Sequence, residues 1–202
     1  MQIGLDFDNT IVDYDALFHK VASERGVIPP SMPRSKIAVR DDLRKRGLED
    51  VWTELQGYVY GARMDEAAIY PGVIDFLVWA QEERHSVSIV SHKTKNPFLG
   101  QEYDLHRAAR NWIADNLCEN GVLLVSSSDV FFELTKEDKL NRIGIIGCNV
   151  FLDDLPEILL AEGFPADTRK ILFDPEGRHG YLAGRLDYSV GSWADLPRCL
   201  AA

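Results

Sequence analysis

IGLDFDNTIV (residues 3–12) decides how the rest of the chain is read. The run opens apolar, as a buried strand does, and then carries two carboxylates, Asp6 and Asp8, two residues apart. Burying charge costs free energy and like charges repel, so these acids need a compensating cation. If extended geometry persists as far as Asp8, strand alternation puts both acids on one side of the chain. A second run of this kind, NVFLDD (149–154), is another apolar strand and ends in Asp153 and Asp154. If the two strands are neighbours, several carboxylates converge at one sheet edge. A divalent cation removes their repulsion. A set of oxygen donors without Cys or His suits Mg²⁺, a hard ion that keeps waters and shares substrate phosphate oxygens.

Working outward, residues 13–70 change character. Helical spacing and many charges mark 14–25, 36–46 and 48–60, and GVIPPSMPRS (26–35) breaks the first from the second with three prolines. This stretch reads as a helical insert. Beyond Pro71-Gly72 a helix begins, with Val73, Phe76, Leu77 and Ala80 on one face. SVSIVS (86–91) is a second strand, NPFLGQEY (96–103) a loop, 104–116 a helix and 129–133 a third strand. Thr135 caps a helix running to about residue 145, with Asp138 in its first turn. NVFLDD is the fourth strand and RKILFD (169–174) the fifth. SWADLPRCL (192–200) closes the chain as a helix with Ser192 as N-cap.

Strands alternating with helices predict an α/β fold, a Rossmann-like parallel sheet covered on both faces. Ligands of such sheets bind beyond the carboxyl ends of the strands, where Asp6, Ser91 and Asp153 fall. The expected organisation is a core of residues 1–12 and 71–202 with a helical cap insert of 13–70.

The totals fit one domain with a small insert: 202 residues, 46% hydrophobic and 27% charged. No stretch approaches the ~20 apolar residues of a membrane span, and no basic region precedes an apolar core at the N-terminus. Cys118, Cys148 and Cys199 are odd in number and scattered, which argues against a disulfide framework or zinc cluster and for a reducing cytoplasm. The net charge of −10 disfavours a nucleic-acid polymer as partner. A small anionic substrate needs local positive charge, and His92, Lys93 and Lys95 directly after the second strand are placed to supply it. His19, His85 and His179 lack ligand spacing; Trp52, Trp79, Trp112 and Trp193 read as core residues.

Four segments together resemble the haloacid dehalogenase (HAD) superfamily of phosphotransferases. DFDNT (6–10) is similar to its DxDxT signature, SIVS (88–91) to its strand ending in Ser or Thr, KEDKL (136–140) to its helix-borne Lys, and VFLDD (150–154) to its acidic pair. Within the superfamily, DKLNRIGIIGCNVFLDDLPEI (138–158) followed by KILFDP (170–175) and SWADL (192–196) looks most like the deoxyribonucleotidase branch.

The resemblance implies a Mg²⁺-dependent phosphomonoesterase acting on a small phosphorylated metabolite, a nucleotide or sugar phosphate. Asp6 is then the nucleophile that forms an aspartyl-phosphate, and Asp8 the acid and base. Asp6, the backbone carbonyl of Asp8, and Asp153 bind the metal, with Asp154 orienting a metal-bound water or Lys139. Ser91 hydrogen-bonds a phosphoryl oxygen, and Lys139 offsets the charge of Asp6 and the phosphoryl group. Lys139 is preferred to Lys136 because it stands closer to the branch pattern. Asn9 and Thr10 of the first motif join His92 and Lys93 as candidate substrate-binding residues. Asp154 has a rival reading as a helix N-cap before Pro156. Phe18, Val21, Tyr58 and Tyr60 of the insert either line a pocket or hold the helices together. Alternative functions are a phosphotransferase that passes the phosphoryl group to an acceptor hydroxyl, and a phosphate-binding protein without catalysis. The oligomeric state is left open.

Overall fold

The computed structural model describes residues 1–201. The strands are β1 (Gln2–Leu5), β2 (Val12–Asp13), β3 (Ala68–Ile69), β4 (Ser86–His92), β5 (Cys118–Glu119), β6 (Val122–Leu123), β7 (Val130–Glu133), β8 (Val150–Asp153), β9 (Arg169–Phe173) and β10 (Tyr188–Val190). The α-helices are α1 (Asp15–Glu24), α2 (Lys36–Lys45), α3 (Glu49–Ala62), α4 (Val73–Glu82), α5 (Leu105–Asn116), α6 (Lys136–Ile146), α7 (Pro156–Leu159) and α8 (Leu196–Ala201). The chain divides into two compact units, the first of residues Met1–Ile11, Tyr70–His92 and Leu117 onward, the second of Val12–Ile69 and Lys93–Asn116.

The first unit is built on a six-stranded sheet in the order β10-β9-β8-β1-β4-β7, parallel at every pairing. Five of these strands were expected from the sequence; β10 adds an edge. Alternation sends Val90, Phe151 and Leu172 to one face, where they pack with Leu140 and Ile143 of α6 and Ile158 of α7. On the opposite face Phe173 meets Tyr70 and Trp193, and Trp193 meets Phe76 of α4, with ring centroids 4.9, 6.0 and 5.3 Å apart. The sheet is thus covered on both sides, which explains why its central strands are apolar runs rather than alternating ones.

Strand β1 lies at the centre, and Gly4 sets how closely it approaches β8. A Cβ on Gly4 would stand 2.4 Å from the Phe151 ring and 2.8 Å from Cys148 Sγ. Both neighbours are buried core groups, so neither moves freely. Gly4→Ala is therefore expected to lower stability by about 1–3 kcal/mol, the scale of an overpacked core. A urea melt checks this; an unchanged midpoint would show that the two strands can separate at no cost.

The second unit holds α1, α2, α3 and α5 with the antiparallel pair β2–β3. Phe18, Val21, Val39, Leu43, Trp52 and Leu55 are its buried centre; Phe18 and Val21 therefore hold helices together. The sequence reading placed 104–116 in the sheet domain, whereas Lys93–Asn116 groups with 12–69. Two glycines account for this. A Cβ on Gly57 would lie 2.6 Å from Pro97, and one on Gly61 would lie 2.5 Å from the Tyr103 side chain. Four residues apart on α3, they form one notch that receives the 93–104 segment. Trp112 of α5 adds a hydrogen bond from Nε1 to the Ala67 carbonyl at 2.9 Å. No helix among the described residues is long and apolar enough to cross a membrane.

Candidate active site

The parallel register brings the acids together. Leu5 of β1 is paired with Leu152 of β8, and the Asp6 N–H donates to the Leu152 carbonyl at 2.8 Å. Asp6 and Asp153 therefore follow at the same level on neighbouring strands, at the carboxyl edge of the sheet. Both are buried, Asp6 at 4% exposure and Asp153 at 0%.

Their counter-charge comes from α6. Thr135 caps this helix, its hydroxyl oxygen accepting from the Asp138 N–H at 3.0 Å, and Lys139 follows one turn in. The Lys139 ammonium is buried and donates to Asp6 Oδ1 and to Asp153 Oδ2, each at 2.6 Å. Burial works against this ammonium, yet the charges and hydrogen bonds of Asp153 and Asp6 outweigh it and hold its pKa above the usual lysine value. Burial likewise pushes the Asp153 carboxyl upward; Lys139 opposes that shift and Asp6 adds to it. Asp153 Oδ1 also accepts from the Leu155 N–H at 2.9 Å, which fixes its rotamer.

Asp154 stands beside this pair, and Asp6, Asp153 and Asp154 each offer a carboxylate oxygen within 4.8 Å of the others. Three hard oxygen donors without His or Cys fit a divalent cation of the Mg²⁺ type. Asp154 does not cap the helix before Pro156: Leu155 holds that position and Pro156 is the first helical residue. The Asp8 carboxylate lies outside the group of three; the sequence reading assigned Asp8 its backbone carbonyl for the metal.

Regular β1 pairing stops at Leu5, an isolated bridge follows at Asp8, and the chain turns from Asn9. Ile11 N–H donates to the Phe7 carbonyl at 3.1 Å, and Asn9 sits in the left-handed region at φ 58°, a conformation that Asn tolerates better than most residues. Thr10 is buried, its hydroxyl 3.5 Å from Asp6 Oδ2, and its carbonyl accepts from Trp193 Nε1 at 3.1 Å. Phe7 packs edge-on against Phe132. The turn carrying Asp8 is thereby tied to two distant segments of the same unit.

Ser91, 1% exposed, lies one residue before the end of β4, the strand next to β1. His92 follows it, with Nε2 3.2 Å from the Leu134 carbonyl. Chiefly through desolvation, its pKa falls below the ordinary imidazole value. That shift works against the positive charge expected of His92. Lys93 belongs to the second unit, buried, with its ammonium 4.7 Å from the centre of the Tyr60 ring. Lys136 is half-exposed and pairs with Glu157. Tyr103 and His106 serve local packing: the Tyr103 hydroxyl donates to Gln101, and His106 Nε2 hydrogen-bonds the Lys93 carbonyl at 2.7 Å. Asp174 accepts from the N–H groups of Arg178 and His179, as a loop-capping residue does.

No family model matches the chain, and no curated protein sequence matches it. Solved structures do. A HAD-superfamily hydrolase of Ehrlichia chaffeensis is 17% identical with a TM-score of 0.57, 99% of this chain being covered and 95% of that one. A HAD family hydrolase of Deinococcus radiodurans R1, solved with phosphate and sodium, is 15% identical with a TM-score of 0.60 (99% and 94% covered). The HAD-hydrolase YfnB of Bacillus subtilis, solved with magnesium, is 14% identical with a TM-score of 0.58 (100% and 98% covered). The chain shares the α/β fold of these structures.

Proposed function

We propose that the chain is a Mg²⁺-dependent phosphomonoesterase of the HAD type, working through an aspartyl-phosphate on Asp6. One observation carries this reading: a buried lysine, held between two buried carboxylates on adjacent strands, with a third carboxylate alongside. The neighbours solved with magnesium and with phosphate support it.

Asp6, Asp153, Asp154 and the backbone carbonyl of Asp8 would hold the metal. When bound, Mg²⁺ supplies positive charge that offsets the carboxylates and the phosphoryl oxygens. Asp6 attacks phosphorus in line with the ester oxygen; the P–O bond to the leaving group breaks as the Asp6–phosphorus bond forms. Asp8 gives its proton to the departing oxygen. It then takes one from the water that cleaves the aspartyl-phosphate, releasing inorganic phosphate and restoring Asp6. Lys139 holds Asp6 in place and neutralises charge that spreads over the phosphoryl group, and Ser91 donates to one of its oxygens. Asn9, Thr10 and His92 are read as substrate-binding residues, Thr10 lying beside Asp6. Lys93 is likewise read as a substrate-binding residue, and residues 13–70 as the cap.

The substrate class is a small phosphorylated metabolite, a nucleotide or sugar phosphate, with the deoxyribonucleotidase-like run of 138–158 favouring the former. The net charge of −10 weighs against a nucleic-acid polymer, and the scattered cysteines favour a cytoplasmic setting.

A panel of phosphomonoesters tests the reading: phosphate release with millimolar Mg²⁺, loss on chelation and return on adding the metal back. No release from any ester by folded protein would refute it. Asp8→Asn is expected to slow turnover by at least ~10²-fold, the scale of lost proton transfer. The loss should be smallest for esters with acidic leaving groups, which need no proton. Equal losses across leaving groups would reassign the proton donor.

A further inference from the structure

We infer that His92 is a positioning residue: by holding the Leu134 carbonyl, its ring sets the entry of α6 and so places Lys139 against Asp6 and Asp153. The catalytic part of Lys139 rests on the phosphatase reading; the link from His92 to Lys139 does not. Many helices fix their approach by packing an apolar residue just ahead of the N-cap against the fourth helical residue. In α6 the cap is Thr135, so those two positions fall on Leu134 and Lys139. Lys139 is committed to the two buried carboxylates, 2.6 Å from each, and the Leu134 side chain is 58% exposed. An exposed leucine and a committed ammonium do not make an apolar staple. The fourth position has been given over to a charge that must reach the sheet edge, and the entry of the helix needs another tie.

His92 supplies it. Strands β4 and β7 stay in register to their ends, Ser91 beside Phe132 and His92 beside Glu133. One residue beyond that pairing, His92 Nε2 lies 3.2 Å from the Leu134 carbonyl oxygen. A carbonyl only accepts, so Nε2 is the donor whether the ring is neutral or charged. The next carbonyl, that of Thr135, already belongs to the helix and accepts from the Lys139 N–H at 3.1 Å. The carbonyl held by His92 is therefore one peptide away from the first helical bond. Alternation puts His92 on the same face of the sheet as Val90, the face that α6 covers. Two other ties reach α6 without fixing its entry. Arg142 Nε donates to Glu133 Oε1 at 2.7 Å, three residues past Lys139. Lys136 pairs with Glu157 where both are exposed, and such pairs contribute little. The entry matters because a misplacement of about 1 Å at a reacting group can cost ~10²-fold in rate.

Turnover of a phosphomonoester with Mg²⁺ and urea unfolding without metal, both on the full chain, test the role. His92→Phe keeps a ring and loses the donor. His92→Gln puts an amide nitrogen as many bonds from Cα as Nε2 is. In His92→Phe kcat is expected to fall at least about tenfold, and in His92→Gln to stay within about threefold of wild type. Added to Lys139→Met, His92→Phe should slow turnover no further, since the group it positions is gone. The urea midpoint should behave alike, lowered by His92→Phe in wild type and lowered much less in Lys139→Met. A folded His92→Phe with wild-type kcat overturns the inference; a raised KM in that variant would then mark a substrate contact alone. A His92→Gln as slow as His92→Phe overturns it too. So do equal losses in both backgrounds, which mark a helix clamp that does not act through Lys139. If Lys139→Met does not fold without metal, the kcat values of His92→Phe and His92→Gln decide. If no ester is hydrolysed while the urea losses remain non-additive, the link from His92 to Lys139 stands and the phosphatase reading falls.

Discussion

Asp6→Asn is expected to leave a folded protein with no measurable phosphate release, a loss of at least about 10³-fold, the scale for removing a nucleophile. The amide cannot form the phosphoryl bond that the carboxylate forms. It can still accept a hydrogen bond from Lys139, whose ammonium now sits 2.6 Å from Asp6 Oδ1. The fold should therefore survive, because Asp153 remains to pair with the lysine at the same distance. The informative comparison is phosphate binding with Mg²⁺ present: reduced in the variant, and still detectable. Turnover within tenfold of wild type would remove Asp6 from the role assigned to it.

Lys139→Met has the second large effect, and it acts on stability as well as rate. Removing the ammonium leaves the Asp6 and Asp153 carboxylates buried at the ends of adjacent strands with their shared cation gone. Breaking a buried ion pair on one side costs about 3–5 kcal/mol, because the remaining charge is left unpaired. Without metal the variant should melt well below wild type, and millimolar Mg²⁺ should restore part of the difference by supplying charge to the same acids. Turnover should stay low even then, since the transferring group has lost a fixed donor. Lys136→Ala provides the contrast. Its partner Glu157 is exposed, and such surface pairs contribute about 0–1 kcal/mol. If Lys136→Ala were the more damaging of the two, the lysine assignment would have to be exchanged.

Much of this site could be read from residues alone, because its parts are local: an acid after an apolar run, a hydroxyl at a strand end, a lysine one turn into a capped helix. What the pattern could not supply was adjacency. That Asp6 meets Asp153 depends on β8 lying next to β1, an order that no periodicity encodes. The edge strand Tyr188–Val190 escaped because it is three residues long, and only Val190 among them is buried. The β5–β6 hairpin did carry a signal: Asn120-Gly121, both at positive φ (50° and 77°), is the turn pair that hairpins favour. At the closing helix, Ser192 was expected to cap residues 193–200. Instead a 3₁₀ turn runs over Trp193–Asp195, and Ser192 donates its hydroxyl hydrogen to Asp195. Pro197 explains the shift, since a residue without an N–H is tolerated only in a first helical turn, and α8 accordingly starts at Leu196. The placement of 93–116 was hidden for another reason. It depends on glycines in α3 that look, in isolation, like weak points in a helix.

The central claim is that Asp6 accepts a phosphoryl group beside a divalent cation. Acid quenching during turnover, borohydride reduction of any acyl phosphate and mass spectrometry of the peptide spanning Asp6 test it most directly. The account predicts reduction at Asp6 that requires both substrate and Mg²⁺. Steady turnover with Asp6 never modified, or with the label on another residue, would contradict it.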